Sequence, residues 1–432
     1  MKLALLLLLL PATPDIEPGT WSTSAPLIKQ HCSACHRDDG SAPFTLLTYD
    51  DVKRRRTFIA EVLKRRLMPP WLPASSGLDL HGNRTMPEED RTQLISWLEA
   101  GAPVGTDDAP PPIKPMIPMP FPEESIAVEM TEPFIIPAET VETEHRYHED
   151  TWSFVMPVEN KAPLRIRGLG WETTAPEAVH TITLLFDGQG RGRERDKYDP
   201  RPGYEMTGDL NRDVSGTNGG VGIGMDRMIL PKGFHWSLPA NADLVADVRY
   251  RPIGREVQLN DTIHLFPTEE EDSREIIAVL TAVNRLKVPV GETNHVAEDR
   301  FTLPAAMDVV AILPKARNEC RSMQLTAILP GGETRMLMDI PQWDGHFRRP
   351  FLLEDVLHLP AGTTLHSRFV IDNSTQNPRN PFDPPEDLRI GKRTGAAAFT
   401  LLGAGTDQAG SDALVELSQW TMDRRGSRTR KP

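Results

Sequence analysis

The chain has 432 residues, too many for one compact core, and a length of this order implies about three domains. Its formal net charge of −13, with 61 acidic against 48 basic residues and no long basic stripe, argues against nucleic acid as a partner. Forty prolines and 31 glycines break the apolar runs into short pieces, so most of the chain is expected as strands and turns.

The first residues, "MKLALLLLLL", carry one lysine and then an apolar run ended by Pro11. That run is shorter than the roughly twenty residues needed to span a bilayer, and it fits an export signal over residues 1–20. No clean small-x-small cleavage pair follows Leu10, so an uncleaved anchor is the alternative. With no second hydrophobic run, the mature protein is expected to be soluble, not membrane-spanning, and periplasmic or otherwise extracytoplasmic. Three cysteines cannot staple so long a chain, and the isolated Cys320 is expected as a small buried residue.

Residues 28 to 51, "IKQHCSACHRDDGSAPFTLLTYDD", hold the other two cysteines, set as C-x-x-C-H. In that motif both thiols lie on one side of a helical turn, where they can anchor a haem, and the adjoining histidine offers a nitrogen to its iron. Half a zinc site and a thioredoxin-like redox pair also use C-x-x-C. Zinc would need further close ligands, yet the next cysteine is Cys320, and a redox pair would need a βαβ pattern that is not visible. A haem asks for a second axial ligand some tens of residues on, and "KRRLMPPW" supplies Met68 at the end of a helix capped by Thr48 and Asp51. Met86 and His81 are the rivals. Met86 fits better as the first residue of a helix capped by Thr85 and Glu88, with Leu94, Trp97 and Leu98 as its apolar stripe and Gly101 as its stop.

Residues 24 to about 105 resemble a c-type cytochrome domain carrying "CSACH", "APFTLLTYDD", "MPPW" and "SWLEAGAP" in that order. The resemblance implies one covalent haem c anchored by Cys32 and Cys35, with His36 proximal and Met68 distal on the iron. It also implies that the last helix packs on the haem-binding one. His/Met ligation fills both axial positions and suits electron transfer better than oxygen chemistry.

The stretch "APVGTDDAPPPIKPMIPMPFP" is dense in proline and almost without periodicity, as a stiff spacer would be, with Met116, Ile117, Met119 and Phe121 free to lie along a neighbouring surface. Beyond it, runs such as "HTITLLFDGQG", "ADLVADVRYRPIG" and "TTLHSRFVIDNS" alternate with turn signals and are expected to form two antiparallel sandwiches divided near residue 275. No nucleophile elbow, phosphate loop or dinucleotide fingerprint is present, and no catalytic residue is assigned. His145 and His148 read as loop residues.

About residues 140 to 405 resemble the paired sandwiches of the copper type II, ascorbate-dependent monooxygenases, with "DNSTQNPRNP" the most specific segment. That family holds one copper with a His-His pair and a later histidine, and a second with His-x-His and a methionine. At the corresponding positions this chain has His180 and Thr181, then Arg249, then Lys315 and Arg317, then Ala398. Only His180 keeps a donor. Arginine and lysine bring positive charge to the place of a metal ion, so the resemblance implies a fold that has lost copper. An acidic group or external anion is the expected ligand of that cleft.

The fold class expected is therefore multidomain, a small all-α cytochrome c domain followed by two antiparallel, jelly-roll-like β-sandwiches. The expected divisions are a signal at 1–20, the cytochrome at 21–105, a linker at 106–124, sandwiches at 125–275 and 276–408, and a tail at 409–432. The expected function is electron transfer through the haem to or from a redox partner, protein or small molecule, with the β module in binding or docking. A working copper monooxygenase fed by its own haem is the alternative.

Overall fold

The computed structural model describes residues 19–106, 111–116, 120–139, 151–205, 219–222, 227–283, 286–390 and 397–426. Residues 1–18 of the expected signal, His145, His148 and the last residues of the basic terminus lie outside them. The described chain is mostly β, with six α-helices and several sheets. It divides into two compact units. One is helical and takes 19–38, 44–69 and 86–116; the other is β and takes 39–43, 70–85 and 120–426.

In the helical unit, α1 (Trp21–His31) buries Trp21, Ser24 and Ile28 on one face and closes at Cys32. The expected cap at Thr48 is present: the Asp51 N–H donates to Thr48 Oγ1 at 3.1 Å and opens α2 (Tyr49–Arg54). The helix does not run on to Met68. It breaks at Arg55, resumes as α3 (Arg56–Lys64), and stops where Arg66 takes a left-handed φ of 55°, so Met68 stands in the turn beyond the helix end.

The capping box expected between Thr85 and Glu88 does not form. Pro87 is the N-cap of α4 (Glu88–Glu99), which leaves Met86 outside the helix, and the Glu88 carboxylate accepts from Arg66 at 2.8 Å instead. Leu94, Trp97 and Leu98 are buried as the spacing requires, and Gly101, at φ +92°, ends the run in a conformation that favours glycine. Trp97 packs on Trp21 of α1 with ring centroids 6.1 Å apart, so the last helix lies against the one that leads into the cysteine pair. The proline-rich stretch is not free here: Ile113 is buried in this core, and the Pro111 carbonyl accepts from Trp21 Nε1 at 3.2 Å.

The β unit holds four large sheets. The first pair comprises a five-stranded sheet, Tyr204–Glu205, Thr151–Pro157, Asp243–Tyr250, Val179–Asp187 and Gly219–Gly222 in spatial order, and a six-stranded sheet centred on Leu164–Glu172 and Thr262–Pro267. Trp171, Phe186, Trp236 and Leu244 lie in the core they share. Sheet membership changes between Glu275 and Ile277. The second pair runs Ile277–Val283, Ala397–Gly405, Met307–Ala316, Phe351–Leu359, and His295–Thr302, Thr364–Ile371, Cys320–Ile328, Thr334–Ile340. Its core includes Phe369, Phe399 and Trp343. Cys320 is buried there, as expected, and burial pushes its thiol pKa up.

Two stretches depart from the expected divisions. Pro70–Thr85, expected inside the cytochrome domain, belongs to the β unit, where it straps the second sheet pair. Its Ala74 and Leu78 N–H groups donate to Asp339 and Leu337 on one sheet edge, its His81 N–H donates to Leu352 on the other sheet, and Leu80 bridges Leu353. Trp71, Leu72, Leu78 and Leu80 pack into the core beneath. These apolar side chains have few partners in a unit of four short helices, whereas two sheet edges offer both backbone bonds and apolar cover. Gly77 is needed at this approach, since a Cβ there would stand 3.0 Å from the Leu337 carbonyl oxygen. The second departure is the expected tail. Gln408–Gly426 is a helix, with Leu414 fully buried against the second sheet pair.

Candidate functional site

The chain leaves α1 through a tight turn. The Ser33 and Cys32 N–H groups both donate to the Ile28 carbonyl, and those of Cys35 and His36 donate to the Cys32 carbonyl at 3.2 and 3.0 Å. Those bonds hold Cys32, Cys35 and His36 within one helical turn, each of them half-buried. The backbone then returns so that the Leu46 N–H donates to the His36 carbonyl. On the way the Phe44 carbonyl comes 2.9 Å from His36 Nδ1, and the two rings lie tilted to each other with centroids 4.8 Å apart.

A carbonyl can only accept, so Nδ1 carries the proton and Nε2 keeps its lone pair. Burial, with some repulsion from Arg55, holds the imidazole pKa below its ordinary value despite the Phe44 bond, which keeps the ring neutral. Burial and the neighbouring Cys35 push the Cys32 thiol to about 12. A reactive redox cysteine needs the opposite shift, so Cys32 does not have the electrostatics of an attacking thiol. Two thiols and a neutral, Nδ1-tethered imidazole on one turn fit the anchoring of haem c.

The two candidate methionines differ in setting. Met68 is 37% exposed and Met86 4%, so Met86 fills the helical core while Met68 is partly open to solvent. The Met68 carbonyl accepts from Arg91 on α4 at 3.2 Å. His81, the other rival, lies in the strap of the β unit with its imidazole 3.5 Å from Glu354.

In the β unit, the positions that the resemblance set against copper ligands come together in pairs. Thr181 is directly opposite Arg249, and Lys315 directly opposite Ala398. His180 is buried and is the extra residue of a bulge, since Arg249 pairs with Thr181 but Tyr250 pairs with Val179. Arg317 is held by the buried Glu319 at 2.7 Å. Burial, with Arg348 nearby, depresses the Arg249 pKa well below its ordinary value. Burial and Arg317 lower that of Arg348 to about 10, which still leaves a cation. Next along the same strand, Asp247 accepts from Ser153 at 2.6 Å, and burial lifts its pKa to about 6, opposed by Ser153 and Lys315.

Other histidines are engaged apart from one another: His235 with Ser273, His264 stacked on Phe121 and bonded to Ser125 and Glu172, His358 with Asp308 and His366 near Glu298. The His346 side chain lies outside the described residues. Among the described residues no three His, Cys, Asp or Glu side chains converge as a metal cluster would. The segment "DNSTQNPRNP" is a knot: Asn373 Nδ2 donates to the carbonyls of Val288, Pro289 and Glu386, and its Oδ1 accepts from Asn380. Sequence reasoning missed Phe44, Arg91 and Arg348. The first acts through its carbonyl, which no residue type announces, and the other two look like ordinary surface charges.

No family model and no curated protein matches the chain. Among solved structures, a peptide-N(4)-(N-acetyl-beta-D-glucosaminyl) asparagine amidase is similar at 10% identity and a TM-score of 0.29, over 65% of this chain and 97% of its own. PNGF-II is similar at 9% identity and a TM-score of 0.27, over 66% of each chain. The major capsid protein P2 from bacteriophage PM2 is similar at 8% identity and a TM-score of 0.24, over 60% of this chain and 97% of its own. Likenesses at this level carry no inference about activity.

Proposed function

We propose that the chain is an exported, single-haem electron-transfer protein of the c-type cytochrome kind, joined to a monooxygenase-like β module that works without copper. The observation that carries this reading is the His36 Nδ1 contact with the Phe44 carbonyl at 2.9 Å, which leaves Nε2 as a ligating nitrogen on the turn that bears both paired cysteines. Cys32 and Cys35 would hold a haem c covalently, and His36 Nε2 and the Met68 thioether would hold its iron. When bound, the haem supplies a one-electron couple. The chain's part would be to fix the imidazole, to keep it neutral by burial, and to set the Met68 thioether where it would keep small gases and water from the iron.

For the β module, Arg249, Lys315, Arg317 and Ala398 replace donors with groups that have no lone pair to give under ordinary protonation, and Thr181 offers only a weak hydroxyl in place of an imidazole. Binding or docking is the role that remains, and an anionic group is the chemistry those cations favour. Redox titration of the exported chain tests the electron-transfer part. A reversible one-electron wave from a low-spin haem that stays closed to carbon monoxide is expected; a haem that cannot be cycled, or that takes up the gas freely, would overturn it.

A further inference from the structure

We propose that Arg91 is the positioning residue for the distal ligand, its guanidinium holding the turn that presents Met68. The proposal rests on the haem reading above. Arg91 lies on the buried face of α4, three residues before Leu94, and is only 7% exposed. One of its terminal nitrogens donates to the Leu63 carbonyl at 3.0 Å and to the Met68 carbonyl at 3.2 Å. A single guanidinium nitrogen thus ties the last turn of α3 to the ligand residue itself, across the reversal at Arg66.

The chemistry of the position favours this role over simple packing. Burying a cation among Leu94, Trp97 and Leu98 is costly, and an aliphatic residue would fill that face without the penalty. What an aliphatic residue cannot do is donate to two carbonyls. The turn that follows α3 is otherwise held only by local contacts, Arg66 and Leu67 bonding back to Leu63 and Val62 and the exposed Arg66 guanidinium meeting Glu88 at 2.8 Å, none of which reaches Met68. The Glu88 carboxylate, 3.7 Å from Arg91 Nε, touches the other end of the guanidinium and does not reach the carbonyls.

The test uses the full exported holoprotein as wild type, Arg91→Met, Arg91→Lys, Glu88→Gln and Met68→Ala. Three properties are read: covalent haem content, the thioether-to-iron charge-transfer absorption of the oxidised form, and carbon monoxide uptake by the reduced form. Arg91→Met keeps the apolar stem and removes both donors. It should retain covalent haem, weaken the charge-transfer absorption and raise the gas-accessible fraction about tenfold or more, as losing a charged donor implies. Arg91→Lys, with one donor group on a shorter arm, should fall between wild type and Arg91→Met. Glu88→Gln, which keeps an acceptor for Arg66 while removing the charge beside Arg91, should match wild type. A purely structural role would lower the melting temperature of Arg91→Met and leave iron ligation unchanged, and that result overturns the proposal. Should Arg91→Met not accumulate, a fully closed Arg91→Lys overturns it as well. If Met68→Ala itself stays closed, the ligand assignment falls and takes the proposal with it.

Discussion

Leu80→Ala should destabilise the β unit although residue 80 lies in sequence between two stretches of the helical one. Leu80 is 7% exposed and sits in the core of the second sheet pair, bridged to Leu353. Three side-chain carbons are lost, about 0.8 kcal/mol each in transfer free energy, so roughly 2.4 kcal/mol before any cavity term. The site is at a sheet edge and can relax, so about 2–3 kcal/mol is expected. For a unit of this size a urea slope of about 3 kcal/mol/M turns that into a midpoint shift of roughly 0.8 M. Equilibrium urea unfolding followed by tryptophan fluorescence measures it, with the covalent chromophore as a separate signal for the helical unit. Leu67→Ala, at a residue 36% exposed in the helical unit, is the control and should cost under about 0.5 kcal/mol. A Leu80→Ala midpoint within about 0.2 M of wild type would refute the placement of the strap in that core.

Met68→Ala should admit carbon monoxide to the reduced iron while Met86→Ala should leave it closed and instead lower stability by about 2–4 kcal/mol, read by thermal unfolding, because Met86 is in the helical core. The Asp247 carboxyl titrates near 6 when folded, against about 4 when unfolded, so the folded state binds the extra proton between those values. Its contribution is therefore full below about pH 4 and lost as pH rises through 6, by up to about 3 kcal/mol, and Asp247→Asn should flatten that part of the urea-midpoint profile. Dialysis against copper and elemental analysis should find far fewer than about two ions per chain; two that survive desalting would restore an active metal module.

The helical elements were legible where a local signal fixed them. Thr48 with Asp51, the stripe Leu94–Trp97–Leu98 and the stop at Gly101 depend on neighbours within a turn or two, and all three are found. The cap at Thr85 was misread because Pro87 starts the helix two residues later and Arg66, distant in sequence, takes up Glu88. The strap was invisible for a related reason: Trp71, Leu72, Leu78 and Leu80 read as part of the stretch between Met68 and the last helix, and nothing local says that their partners are more than 250 residues away, at positions such as Leu337 and Leu352. At the candidate site, cysteine and histidine spacing singled out Cys32, Cys35 and His36 directly. The group that sets the His36 tautomer is a backbone carbonyl, and the residue that ties down Met68 is an arginine on another helix. Neither has a sequence signature.

The most direct measurement is intact and peptide mass spectrometry of the exported chain. One haem per chain, carried on the peptide that contains Cys32, Cys35 and His36 and absent from the Cys32→Ser, Cys35→Ser double variant, is the predicted result. A chain without covalent haem, or a double variant that keeps it, would contradict the account at its centre.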